Sequence, residues 1–64
     1  MIKVTQLGAN TDYYFSTNTA IDALLKMSYT LNLKERTDTT INMAGNGRFL
    51  YIEDNHGEIY YCEI

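Results

Sequence analysis

The apolar positions of this chain change period along its length. From Ile2 to Leu7 they alternate, with Ile2 and Val4 on one side and Lys3 and Thr5 on the other, which predicts a strand. Gly8 to Asp12 is dense in turn formers, and Tyr13 to Ser16 resumes an extended pattern able to close a hairpin with the first strand. The period then lengthens. Ile21, Leu24, Leu25 and Ser28 fall on one helical stripe, flanked by Ala20 and Met27. Thr17, Asn18 and Thr19 all offer N-caps, and Asp22 stands three residues after Thr19 in a capping-box-like position. Asp22 and Lys26 have the i,i+4 spacing of a favourable ion pair. Together these features predict a helix from about Asn18 to about Tyr29.

The end of that helix is written twice. Tyr29, Leu31 and Leu33 alternate as a strand would, whereas Leu24, Met27 and Leu31 continue a helix. The lack of a turn former between Ser28 and Leu33 favours continuation. Lys34 to Thr39 reads as a charged, polar loop, Thr40 to Met43 as a third strand, and Ala44-Gly45-Asn46-Gly47 as the turn that leads into a strand starting near Arg48.

The stretch from Phe49 to Ile64 is the most explicit. Two apolar runs, FLYIED and EIYYCEI, flank Asn55-His56-Gly57, which predicts a hairpin with Gly57 in the left-handed position of a three-residue loop. Asp54 then pairs with Glu58, Ile52 with Tyr60, Tyr51 with Tyr61 and Leu50 with Cys62. Alternation assigns Leu50, Ile52, Tyr60, Cys62 and Ile64 to an inward face. The other face carries Phe49, Tyr51, Ile59 and Tyr61 with Glu53 and Glu63, too apolar for a solvated face and too acidic for a core. The whole predicts an α+β domain: a small antiparallel β-sheet with one α-helix packed on one face, in the order β-β-α-β-β-β. One helix covers one sheet face. The second face is left open.

Composition narrows the chemistry. At 64 residues the chain is expected to form a single domain, 1–64, small enough that its stability is marginal and self-association is a live outcome. A single Cys excludes an internal disulfide and suits a reducing compartment, so a cytoplasmic location is expected. No apolar run approaches the length of a membrane span or forms a secretory leader. Eight acidic against five basic residues give a net charge of −3, which opposes direct contact with nucleic acid and favours a basic protein partner. Successive tyrosines at 13–14 and 60–61 put rings on both sides of the sheet. Their neighbours are acidic rather than basic, unlike the ring platforms that stack bases.

The candidates for chemistry read as structure. His56 occupies the hairpin turn with no poised nucleophile beside it. Cys62 lies on the inward face of a segment without a Lys or Arg to activate a thiol. Glu53, Asp54 and Glu58 lack the loop length and flanking helices of a calcium site, and Gly45-Asn46-Gly47 precedes a strand rather than the helix a phosphate loop needs. No catalytic residue, metal or cofactor is expected, and the chain is read as a non-enzyme. Two roles remain. The first is a small acidic protein-binding module that engages a basic partner through Phe49, Tyr51, Glu53, Ile59, Tyr61 and Glu63, the strategy open to phage or mobile-element inhibitors of nucleic-acid-handling host proteins, anti-CRISPR inhibitors among them. The second is a self-associating module that forms a homodimer through its open face or an edge strand.

Overall fold

The computed structural model describes residues 1–31 and 40–64. Five strands and one helix follow in the order β1 (Ile2–Gln6), β2 (Thr11–Phe15), α1 (Ala20–Thr30), β3 (Asn42–Ala44), β4 (Phe49–Glu53) and β5 (Ile59–Glu63). The strands form one antiparallel sheet in the order β2-β1-β5-β4-β3. The expected α+β architecture is therefore the observed one. The first and last strands meet at the centre of the sheet, and β2 and β3 lie at its edges.

The C-terminal hairpin has the register its turn dictates: Ile52 opposes Tyr60, Tyr51 opposes Tyr61 and Leu50 opposes Cys62. The Asp54 N–H donates to the Glu58 carbonyl at 2.9 Å, and Gly57 takes φ +82°, a conformation that L side chains adopt only under strain. The bend is locked by the Asp54 carboxylate. Its Oδ1 accepts the N–H groups of His56 (2.8 Å) and Glu58 (2.9 Å), and its Oδ2 accepts the Tyr60 hydroxyl (3.1 Å). One side chain thus ties the loop to a core tyrosine.

Helix α1 starts at Ala20, two residues after the expected Asn18, at the last of the three N-cap candidates. Thr19 is the cap, its hydroxyl accepting the Asp22 N–H at 3.1 Å, and Asp22 adds negative charge to the first turn. The helix runs through Thr30 with Leu31 as its C-cap, so Tyr29 and Thr30 are helical; the alternatives for Asn32 and Leu33, and the loop expected at Lys34 to Thr39, lie outside the described residues. The third strand comes slightly later than the pattern suggests, at Asn42–Ala44.

The helix packs on β1, β4 and β5, the middle of the sheet. Between them Val4, Ala23, Leu24, Met27, Leu50, Ile52, Tyr60 and Cys62 form the core, with Ser28 buried alongside and its hydroxyl donating to the Leu25 carbonyl at 2.7 Å. Three expectations are corrected here. The buried stripe of the helix is Ala23, Leu24, Met27 and Ser28, and Ile21 and Leu25 face outward. The helix is turned so that the small Ala23 faces the sheet. Lys26, expected to pair with Asp22, instead donates to the Ser16 carbonyl at 3.0 Å and pins the chain just ahead of the helix. Ile64, assigned inward, is 65% exposed, because it lies past the end of β5 and past the part of the sheet that the helix covers; its N–H still bonds the Arg48 carbonyl.

Candidate functional site

Alternation in a paired sheet puts every second residue on the face away from α1, and the observed register assembles that face from all five strands. β4 contributes Phe49, Tyr51 and Glu53, β5 contributes Ile59, Tyr61 and Glu63, and β3 adds Ala44 opposite Phe49. Thr5 sits opposite Tyr61, and the Leu7 N–H donates to the Ile59 carbonyl at 2.8 Å, so Leu7 borders Ile59 on the same surface. Thus Phe49, Tyr51, Ile59 and Tyr61, joined from the sequence by local pattern alone, are brought together. All four are half-buried, whereas Glu53 and Glu63 are exposed.

The rings are ordered against each other. Phe49 and Tyr61 make an edge-to-face pair with centroids 5.8 Å apart and planes at 83°, a geometry in which the positive edge of one ring meets the negative face of the other. Around them Leu7, Ala44, Phe49, Tyr51, Ile59 and Tyr61 line a shallow hollow of about 350 Å³ with an almost wholly apolar wall. Gly45 supports its floor: a Cβ there would stand 2.6 Å from a Phe49 ring carbon, so only glycine admits the ring in its observed position. Leu7 and Ala44 are the members that sequence reasoning missed. The alternation Lys3, Thr5, Leu7 was a usable signal for the first. Nothing local marks the second.

The charges on this face are uneven. Glu53 stands at the end of β4 opposite Ile59, Glu63 at the end of β5 opposite Phe49, and Asp12 opposite Thr5, whose hydroxyl donates to it at 2.8 Å. Lys3 is the single cation among the described residues of the face. A second hollow, of about 430 Å³, opens where the β1–β5 ladder stops after Thr5 and Tyr61; its wall is mixed, with Lys3, Thr5, Cys62 and Glu63 among the lining residues.

The His56 N–H belongs to the Asp54 turn, and its ring is exposed on the loop. Cys62 is buried as a free thiol, and burial pushes its pKa up, with the nearby Glu63 charge acting in the same direction. Burial works to raise the Asp54 carboxyl, but the Glu58 and His56 N–H groups and the Tyr60 hydroxyl outweigh it and hold that carboxyl below its ordinary range. Tyr60 moves the opposite way. Burial first, then the hydrogen bond to Asp54, push its phenol up to about 12. No group of three or more His, Cys, Asp or Glu side chains among the described residues is arranged to hold a metal ion, and no helix among them is long and apolar enough to cross a membrane.

Comparison with protein-family models, with curated proteins and with solved structures finds no match to this chain.

Proposed function

We propose that this protein is a small non-enzymatic binding module that docks its open sheet face on a basic protein partner in the cytoplasm. The observation that carries the reading is the apolar hollow of Phe49, Tyr51, Ile59, Tyr61, Leu7 and Ala44, which lies on the sheet face opposite the helix and has Glu53 and Glu63 at its ends. Aromatic side chains supply large contact area at low entropy cost, and their hydroxyls tolerate a wet rim. The flanking carboxylates select the sign of the partner. The described residues of the face include Asp12 and Glu63 with Lys3, and the chain's net charge of −3 favours approach of a positive surface at long range. A basic groove of a nucleic-acid-handling protein is the kind of target this arrangement fits, and an inhibitor from a phage or mobile element, such as an anti-CRISPR, is one role that would use it. The role is a proposal from surface chemistry, with no sequence motif behind it.

The division of labour between rings and carboxylates gives the test. Immobilised protein is used to capture a partner from lysate, and the purified pair is then followed by surface plasmon resonance at several salt concentrations. Tyr61→Ala is expected to speed dissociation by roughly 30-fold, the equivalent of a hot-spot loss of about 2 kcal/mol. Glu53→Gln and Glu63→Gln are expected to slow association a few-fold and to flatten its salt dependence. Tyr29→Ala, on the helix exterior and 76% exposed, is the control. Binding that survives Tyr61→Ala but is lost in Tyr29→Ala, or that does not weaken with salt, would overturn the assignment.

A further inference from the structure

The edge strand β2 lies at one rim of the sheet, and its Asp12 and Tyr14 side chains stand on the open face beside Thr5 and Lys3. Because the Leu7 N–H is directed to β5, alternation aims the backbone groups of Gln6, Val4 and Ile2 at β2, where they meet Thr11, Tyr13 and Phe15. Asp12 and Tyr14 therefore turn their N–H and C=O groups away from the sheet. β2 is terminal in the strand order, and the helix packs on β1, β4 and β5. Folded chains usually blunt such an edge with lysine, proline, a bulge or extreme shortness. β2 has little of this: its five residues, TDYYF, include neither Lys nor Pro and carry one charge, Asp12, whose carboxylate accepts the Thr5 hydroxyl. The opposite edge differs, since β3 is only three residues long and alternation leaves Met43 alone facing outward.

We propose that β2 pairs antiparallel with β2 of a second copy of this chain, centred on Tyr13. That register overlaps the whole strand and sets Asp12 opposite Tyr14 of the second copy on both sides of the two-fold axis, each copy donating two ladder hydrogen bonds and accepting two. A shift by one step toward the C-terminus would enlist Ser16, whose carbonyl already accepts Lys26. The side chains suit the Tyr13-centred register. Asp12 is the only charge in the strand and faces a tyrosine rather than a like charge, while Thr11 meets Phe15 and Tyr13 meets its own counterpart on the helix side. The axis runs perpendicular to the sheet. The two open faces then lie on one side of a continuous sheet, presenting two hollows to a partner.

The experiment reads mass and pairing together. Light scattering on the intact protein across a concentration series is expected to show the mass rising from that of the 7.4 kDa chain to twice that value. Tyr14→Glu, which sets two carboxylates opposite each other across the axis, is expected to hold the protein monomeric over the same range. Adding Asp12→Lys to Tyr14→Glu places opposite charges at both contacts and is expected to restore the dimer, a rescue that a misfolded variant would not give. Amide exchange in the parent protein is expected to slow at Asp12 and Tyr14 with rising concentration, with Tyr13 protected throughout. A parent that stays monomeric at every soluble concentration, a dimer that persists in Tyr14→Glu, or a charge pair that fails to rescue would each overturn the proposal. Because Asp12 and Tyr14 stand at the β2 side of the open face, partner capture is tested separately, by Tyr61→Ala in the otherwise unchanged chain.

Discussion

Ile52 and Ile64 stand on strands β4 and β5 or just beyond, and the sequence assigns both to one inward face, yet Ile52 is fully buried and Ile64 is 65% exposed. Ile52→Ala removes three carbons from the core. At about 0.8 kcal/mol per buried methylene that is roughly 2.4 kcal/mol of transfer free energy. Incomplete collapse of the space left behind adds about 1 kcal/mol for some 40 Å³ of cavity, bringing the loss to about 3 kcal/mol. A domain this small has roughly 3–10 kcal/mol in total, so the loss is a large fraction of it. With an unfolding entropy near 2.1 cal/mol/K per residue, each kcal/mol corresponds to about 7 °C, and the expected fall in Tm is about 20 °C. Ile64→Ala should cost less than about 0.5 kcal/mol, a shift of only a few degrees. Thermal melts followed by far-UV circular dichroism, with urea titrations to check that the m-value is preserved, make the comparison. Equal shifts for the two variants, or a shift of under about 5 °C for Ile52→Ala, would refute the placement of the core.

Two further perturbations address the turns. The Asp54 carboxyl is held below its ordinary value in the folded protein, so its contribution should be complete above about pH 4 and fade as the pH falls through its folded pKa. Tyr60 has the reverse sign: its contribution is intact below pH 10 and is lost as the pH rises towards about 12. Asp54→Ala should remove about 1–3 kcal/mol at neutral pH and flatten the acid limb, whereas Asp54→Asn, which retains an acceptor for the two N–H groups, should cost less; melts from pH 2 to 12 would show it. Gly45→Ala should destabilise by roughly 1–3 kcal/mol, since it combines a φ of +62° with a Cβ pressed on the Phe49 ring. Gly8→Ala, at φ +86° with nothing within 4 Å, supplies the strain alone and should cost less in the same melt.

What could be read from the chain before its fold was known depended on how local the determinant was. The Asn55-His56-Gly57 loop fixes the register of β4 on β5 by itself, so the grouping of Phe49, Tyr51, Ile59 and Tyr61 was legible without any long-range information. Thr19 and Asp22 marked the helix start through contacts three residues apart. The rotation of that helix was not legible, because hydropathy ranks Ile21 and Leu25 above Ala23, whereas close approach of a helix to a sheet rewards the smaller side chain. Leu7 joins the hollow only because β1 pairs with β5, a pairing more than fifty residues apart in sequence that no local pattern encodes. Ile64 obeys the alternation and still escapes burial, since alternation gives a direction and not the extent of what lies above.

The central seam of the sheet also sets the order of events during synthesis. β1 and β5 are paired at Thr5–Tyr61 and Gln6–Tyr60, and residues 7–59 separate the two sides of that join. At about 5–20 residues per second, the N-terminal hairpin waits roughly 3–10 s on the ribosome before its partner strand exists. During that interval the hairpin has two unpaired edges instead of one, and Val4 lacks the β4 and β5 side chains that complete its core. A two-stranded ribbon is at best marginally stable in water. The distant join makes folding slower than the chain's small size alone would suggest.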